Sequence, residues 1–502
     1  MMNSAFLIAM FFSVLNDTSF NIDVVYPRPA NQDTIARIER VNFNFIFGSV
    51  LPTNAALKIN GVSVPLEKSG AFLAYLPVDW GSQTYRLEAI INSNTSIEKM
   101  LPFSDRSVAQ KDESVEEIIN FPIELTLSAG VARSHPDGVY YLFPFQGTKI
   151  KAVSKEKGQY QVPLSSEKSV WVAEKHIVNK SPYIKRPNPI AWKAIVTEVE
   201  LGEEVVIPLN SKPLYRVLSS GNSNTLSLDV YNVTTHIDII SYQNPAKIIR
   251  EVVWEVPSDN VMRIKIRLSN KHWGYKVSYE DNALRILVRK PPNIRRGVRG
   301  LTIAVDPGHG GESDGSIGPL RTTEKEVNLR VALQLRDILE SKGATVMLTR
   351  DVNKTLGLLE RIKMAEDANA DLMISLHHNA LGDGKDPFGN LGTGVHYYNS
   401  LSRGLAEKIQ AAVHKELDIY NEGVYYNNLA MVRPTYMPAI LLEAAYMMIP
   451  EHEQMMLMDD YAERLAKAVY KGIKSYLRDE RKIIKISRSS IKLNNYSADI
   501  FE

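Results

Sequence analysis

Hydrophobic and polar positions alternate with two different periods along this chain, and the change falls near residue 300. Before it, short apolar runs of period two, such as residues 41–50, are separated by turn signals such as Asn60-Gly61. This pattern is typical of β-strands and hairpins. After it, short apolar strands alternate with amphipathic stretches of helical period, such as residues 326–343. We therefore predict N-terminal all-β modules followed by an α/β domain with a mainly parallel sheet flanked by helices.

The turn signals and polar stretches divide the chain into predicted units. A polar linker over residues 104–117 and a basic segment over residues 290–300 mark two of the boundaries. The predicted units are a signal peptide (1–20), a β-sandwich (21–103), a small barrel-like β-module (120–215), a further β-sandwich (222–292), the α/β domain (300–480) and a tail (481–502).

The amino-terminal prediction rests on the apolar run at residues 5–15. Eleven residues are too few to span a bilayer as a helix, whereas this length suits the core of a secretory signal. A buried first strand is the alternative. No later segment is apolar for 18 residues, so we predict no stable membrane span and an exported protein of the periplasm or cell envelope.

Composition removes several functional classes. The 59 Lys and Arg residues nearly balance the 57 Asp and Glu residues, which argues against a nucleic-acid partner. Cysteine is absent, so disulfide scaffolds, thiolate metal sites and cysteine nucleophiles are excluded. The basic segment 290–300 has two interpretations, contact with an anionic polymer and a solvated linker.

Side chains suited to chemistry follow three predicted strands of the α/β domain. One strand ends before His309, another before His377 and His378, and a third before Glu443. Because ligand sites lie beyond the carboxyl ends of parallel strands, these residues are expected at one edge of the sheet. The structural alternative for each histidine is a hydrogen-bonded loop residue, and for Glu443 an ion pair with Arg433.

Glu324 and Glu326 begin the first predicted helix, whose amino terminus points to the same edge. A charge that complements the helix dipole is their structural alternative. Two imidazoles and one carboxylate with an open fourth position form the ligand set of a catalytic zinc ion. A further carboxylate suits the proton acceptor of an activated water. The residues alone leave open which glutamate is the ligand.

Four ordered motifs resemble the zinc-dependent N-acetylmuramoyl-L-alanine amidases of bacteria. They are DPGHGG (306–311), EKEVNL (324–329), SLHHNA (375–380) and PAILLEAAY (438–446). The resemblance covers about residues 301–477. It implies His309, Glu324 and His377 as ligands of Zn²⁺, with Glu324 preferred because it directly precedes a lysine, and Glu443 as the catalytic acid/base.

The resemblance implies hydrolysis of the amide between N-acetylmuramic acid and L-alanine, with peptidoglycan as partner and Asn379 and Arg433 as candidate substrate-binding residues. A zinc peptidase acting elsewhere in the stem peptide and a non-catalytic wall-binding scaffold are the alternatives. His378 departs from the small residue usual at its position and could compete for the metal. Residues 222–292 resemble the AMIN-type sandwiches of exported wall amidases. No motif identifies a protein activator.

Overall fold

The computed structural model describes residues 20–28, 34–107, 121–128, 130–218, 224–243, 247–269 and 271–498. The apolar run at residues 5–15, on which the signal-peptide prediction rests, lies outside these ranges, as does the linker from residue 108 onward. None of the helices within the described ranges is long and apolar enough to cross a bilayer.

The first unit packs a sheet of order β1-β3-β6 against one of order β2-β8-β7-β4-β5. Its strands are β1 (Asn21–Tyr26), β2 (Ala36–Ile38), β3 (Phe43–Leu51), β4 (Ala56–Ile59), β5 (Val62–Val64), β6 (Ala71–Pro77), β7 (Thr84–Asn92) and β8 (Thr95–Asp105). Asn60 and Gly61 turn the chain between β4 and β5 with φ of 50° and 80°, the hairpin geometry that their pairing predicts.

The second unit combines sheets of order β11-β10-β15-β14-β13 and β12-β9-β16 around one apolar cluster. Its strands are β9 (Ile123–Leu127), β10 (Ala132–Arg133), β11 (Tyr140–Leu142), β12 (Lys149–Ala152), β13 (Ser154–Glu156), β14 (Gln159–Pro163), β15 (Ser169–Ala173) and β16 (Ile177–Pro182).

The third unit packs sheets of order β21-β17-β18-β25-β24 and β19-β20-β23-β22. Its strands are β17 (Ile190–Val199), β18 (Gly202–Pro208), β19 (Tyr215–Val217), β20 (Thr225–Tyr231), β21 (Thr234–Tyr242), β22 (Ile249–Ser258), β23 (Val261–Leu268), β24 (Gly274–Glu280) and β25 (Ala283–Arg289). This corrects the sequence-based boundary between residues 215 and 222. β17 and β18 pair with β21 and β25, so residues 190–208 belong to the third unit rather than to the second.

The α/β domain contains one sheet of order β27-β26-β28-β31-β29-β30 with helices around it. Its elements are β26 (Thr302–Pro307), α1 (Glu324–Ser341), β27 (Thr345–Leu348), α2 (Leu358–Asp367), β28 (Leu372–Asn379), β29 (Gly392–Tyr397), α3 (Arg403–Leu417), β30 (Tyr420–Tyr426), β31 (Ala439–Tyr446), α4 (Pro450–Leu457) and α5 (Tyr461–Ala498). The sheet is mixed, because β29 runs antiparallel to β31 while the other neighbouring pairs are parallel.

Apolar residues at helical spacing bind the helices to this sheet. Val327, Val331, Leu335 and Leu339 lie on one face of α1 and are buried in the core of the domain. Two helices, α4 and α5, end the domain, and α5 continues into the segment predicted as a tail (481–502) as far as Ala498. Short 3-10 turns lie at Glu174–His176, Ile294–Arg296, Ser400–Ser402 and Ala430–Val432.

Candidate active site

Three of the predicted site residues meet at the carboxyl edge of the sheet. His309 lies in the loop after β26, Glu324 begins α1, and His377 lies near the end of β28. Glu324 bridges the two imidazoles: its Oε2 is 3.1 Å from His309 Nε2, and its Oε1 is 2.9 Å from His377 Nδ1. One ligand atom from each residue lies within 4.8 Å of the others, so the three side chains can contact one cation together.

Two glycines make room for this cluster. A Cβ at Gly308 would lie 2.2 Å from the His377 ring, and one at Gly315 would lie 2.4 Å from Glu324 Oε2. His309 itself has a φ of 60°, a left-handed conformation that is costly outside glycine. The loop therefore needs its glycines and accepts local strain at His309, which is common at functional sites.

A buried ionic network holds the His309 loop. The side chain of Asp306 accepts hydrogen bonds from Thr349 Oγ1 (2.5 Å), Ser375 Oγ (2.6 Å) and Arg361 Nη1 (2.9 Å). Arg361 Nη2 also donates to the His309 carbonyl at 2.8 Å. This network was not predicted, although Asp306, a charged residue at the end of the apolar strand before His309, is a sequence signal for it.

The charges of Glu324 and His377 strongly influence each other. Burial alone would raise the pKa of Glu324, but hydrogen bonds from His309 and His377 outweigh it and hold that pKa well below its usual range. Burial also opposes the charged form of His377, yet Glu324 raises the pKa of this imidazole to about 9. Metal binding at His377 would therefore compete with a proton on that imidazole.

Glu443 lies beside His377, since β28 and β31 pair these two residues in register. Its Oε2 atom is buried and has no hydrogen-bond partner within the described residues. Burial is the main cause that raises the pKa of Glu443 to about 8; Glu324 and Glu422 add to it and His377 opposes it. A buried carboxyl oxygen without a partner is costly unless something else engages it.

His378 points away from the cluster, because successive strand residues face opposite sides of a sheet. Its Nδ1 lies 2.8 Å from Asn328 Oδ1 and its Nε2 lies 2.8 Å from Tyr461 Oη. Burial lowers the pKa of this histidine to about 3, so the ring is neutral. With both nitrogens engaged, the His378 ring does not compete for the metal. Glu326 also lies apart and accepts a hydrogen bond from Thr323 Oγ1.

The cluster opens into a cavity of about 540 Å³, also lined by Glu443 and Asn379. Arg433, the other candidate for substrate binding, does not line it. Its guanidinium donates to Asn428 Oδ1 and lies over the ring of Tyr140 at 4.9 Å. The predicted alternative, an ion pair between Arg433 and Glu443, is not formed.

Among the described residues, one from outside the α/β domain lines the cavity, and it was not predicted. Arg28 follows β1 of the first unit, lines the cavity, and has no hydrogen-bond or ion-pair partner among the described residues. No local signal could have found it, since it lies 281 positions before His309 (309 − 28).

The residues present fit a zinc ion. Two imidazoles and one carboxylate converge, a second carboxylate with an oxygen that has no partner among the described residues lies beside them, and an open cavity leaves room for a substrate. An α/β sheet that brings such a group to its carboxyl edge defines the class of metal-dependent hydrolases as the best match for this fold and site.

Comparisons with known proteins also identify this chain as similar to hydrolases. The family profile described as N-acetylmuramoyl-L-alanine amidase matches residues 303–475. The probable cell wall amidase LytH of Staphylococcus saprophyticus is 30% identical over 213 residues, which span 42% of this chain and 69% of that protein. The LytH of Staphylococcus epidermidis is 32% identical over 181 residues, or 36% of this chain and 59% of that protein.

Solved structures of similar sequence cover a similar share of this chain. The N-acetylmuramoyl-L-alanine amidase AmiC2 of Nostoc punctiforme is 33% identical and covers 36% of this chain and 99% of its own, with a TM-score of 0.34. The catalytic domain of CwlV from Paenibacillus polymyxa is 31% identical, covers 36% and 98%, and has a TM-score of 0.33. The family profile and the sequence relatives show that this chain belongs to the N-acetylmuramoyl-L-alanine amidase family. The members of this family are enzymes that hydrolyse peptidoglycan.

Proposed function

We propose that this chain hydrolyses the amide between the lactyl group of N-acetylmuramic acid and the L-alanine of the stem peptide. His309, Glu324 and His377 would hold a zinc ion, and Glu443 would transfer the proton. Family membership supports the substrate class. The observation that carries the mechanism is the buried, unpartnered Oε2 of Glu443 beside the His–Glu–His cluster.

The chemistry divides between the metal and the chain. Bound zinc supplies a Lewis acid that polarises the scissile carbonyl and acidifies a water. In its ionised form, which a nearby cation would favour, Glu443 accepts a proton from the attacking water at Oε2 and passes it to the nitrogen of the departing L-alanine when the amide bond breaks. Because that oxygen has no competing partner in the described part of the chain, it is available for both transfers.

Other residues hold these groups in place or contact the substrate. The Asp306–Arg361 pair fixes the His309 loop, and the buried His378 ties β28 to Asn328 and Tyr461. Asn379 offers an amide at the cavity wall. Arg28 offers a cation, which suits a carboxylate of the stem peptide.

We also infer that the protein acts outside the cytoplasm, in the cell envelope. The support is chemical: the substrate is wall polymer, and the relatives are named cell wall amidases. A fusion to a reporter that is active only after export tests this inference, and an inactive reporter, with the fusion protein found in the cytoplasm, would contradict it.

Mass spectrometry of purified peptidoglycan digested with the protein tests the reaction. We expect free stem peptides that begin with L-alanine, lost when a chelator removes the metal and restored by added zinc. Shortened stem peptides alone would instead identify a zinc peptidase. Wall binding without products, from a protein shown to hold zinc, would favour a scaffold.

Metal analysis separates metal binding from proton transfer within the site. A His309→Ala protein should lose zinc together with activity, because one of three ligands is removed. A Glu443→Gln protein should keep its zinc and lose turnover. Equal zinc content in wild type and His309→Ala would refute the assigned ligand set.

A further inference from the structure

A groove lined by cations lies at the end of the α/β domain opposite the candidate active site. It is formed by the 3-10 turn Ile294–Arg296 and the residues after it, the carboxyl end of α1, and the middle of α5, and it encloses about 600 Å³. Within the described part of the chain its charged lining residues are all basic: Arg295, Arg296, Arg299, Lys342, Lys471, Lys474, Arg478 and Arg481.

Most of these charges have no acidic partner within the described ranges. Among the described residues, Lys471 pairs with Glu416 at 3.1 Å and Arg478 approaches Asp479 at 3.9 Å. Arg481 donates to a backbone carbonyl, that of Arg295. The side chains that make no hydrogen bond or ion pair with any described residue are those of Arg295, Arg296, Arg299, Lys342 and Lys474.

Like charges gathered in a concave site repel one another and focus a positive potential into the groove. The chain as a whole has a net charge of only +2, so this concentration is local and does not reflect a basic composition. The floor contains the buried side chains of Ile294, Val298 and Leu477, which hold the surrounding backbone in place. An anionic ligand would relieve the repulsion.

We propose that this groove binds a flexible polyanion that carries phosphate groups. Arginine predominates in the lining, and its planar fork matches the oxygens of a phosphate. The cations approach from three elements around a concavity. A flexible polymer can enter it, whereas a flat bilayer surface would touch only its rim.

The groove and the active site are separate. Helix α1 begins at Glu324 in the metal cluster and ends at Ser341 beside the groove, a length of about 27 Å at the usual helical rise. A polyanion in the groove would therefore tether the enzyme without entering the cleft. This inference does not depend on the reaction that the active site catalyses.

Binding of fluorescent long-chain polyphosphate to the full-length protein, followed by anisotropy, tests the proposal. The groove variant carries Arg295→Gln, Arg296→Gln and Lys474→Gln. The matched control carries Lys58→Gln, Lys175→Gln and Lys185→Gln, exposed residues of the first two units. Both variants remove three positive charges.

We expect the groove variant to bind polyphosphate at least about tenfold more weakly than wild type, and the control to bind nearly as wild type. With about four phosphate contacts, wild-type affinity should fall about 50-fold between ~50 and ~200 mM salt, and less steeply in the groove variant.

Three results would overturn the proposal. The first is equal affinity of wild type and groove variant, and the second is an equal loss in the control. The third is groove-dependent binding to vesicles that contain phosphatidylglycerol without binding to polyphosphate, which would assign the groove to a bilayer surface. Circular dichroism and activity on soluble wall fragments should be the same in all three proteins.

Discussion

The two ends of the catalytic sheet contact different β-units, and the contacts are of different kinds. At the carboxyl end, the first unit docks on loops around the active site through an apolar cluster that is separate from the core of the α/β domain, in which Val25, Phe45 and Leu73 pack against Met448. Polar groups extend this contact. Asp383, whose side chain is 1% exposed, accepts hydrogen bonds from Tyr26 Oη and Asn44 Nδ2 and pairs with Arg106 at 3.3 Å. This contact fixes the loop that follows Asn379.

At the amino end, the third unit is joined to the catalytic core itself. Trp273 is fully buried in the core of the α/β domain, and its Nε1 donates to the Asp371 carbonyl at 2.7 Å. Arg289, the last residue of β25, donates to the carbonyls of Ala370 and Tyr436. The amino-end contact is therefore part of the core of the α/β domain, whereas the carboxyl-end contact is a separate interface beside the site.

The largest expected effect is a loss of catalytic rate, caused by a change at the carboxyl end of the sheet. Replacing Glu443 with Gln should lower kcat about 10³-fold, because the general acid/base is lost, while stability stays near that of wild type. Single-turnover release of stem peptides and thermal unfolding measure the two quantities. A variant that retains most of its turnover would remove Glu443 from the mechanism.

The next largest effect is a loss of stability, caused by a change in the contact at the amino end of the sheet. Trp273→Ala should lower the free energy of unfolding by about 3–5 kcal/mol, since a large buried ring is replaced by a cavity. Zinc content per folded molecule should not change. The matched control is Trp192→Ala, whose ring is half exposed. Denaturant unfolding checks this, and equal losses in the two variants would contradict a role of Trp273 in the joint core.

Asp383→Asn should cost about 1–3 kcal/mol, because it weakens charge-assisted hydrogen bonds to the first unit. If the docked unit shapes the site, KM for wall fragments should rise as well. Asp386→Asn, an exposed change in the same loop, serves as the control. Unchanged KM in a destabilised Asp383→Asn protein would limit this contact to stability.

The smallest expected effect concerns the cation that the first unit places at the cavity. Arg28→Ala should raise KM about two- to fivefold for stem peptides with a free carboxylate, as suits one exposed ion pair, and leave kcat unchanged. Arg28→Lys should recover part of the loss. Steady-state kinetics with free and amidated substrates decide the matter, because an equal rise in KM for both would exclude carboxylate recognition.

Several elements could be predicted from sequence because short-range patterns define them. The Asn60-Gly61 hairpin follows from the backbone preferences of two residues, and α1 follows from apolar residues at helical spacing. β30 and the extension of α5 beyond residue 480 were missed. Both sequences are rich in polar residues, and their structure depends on neighbours or on a long helix already formed.

The sequence by itself determined which strand ends carry His309, His377 and Glu443, since parallel strands deliver their carboxyl ends to one edge. Only the tertiary structure decided the partners of His378, the separation of Arg433 from the cavity, the pairing of β17 with β21, and the arrival of Arg28 at the site. The physical reason is the distance along the sequence between the residues that determine each feature. Local periodicity depends on adjacent residues, whereas these contacts depend on how the surfaces of remote segments fit together.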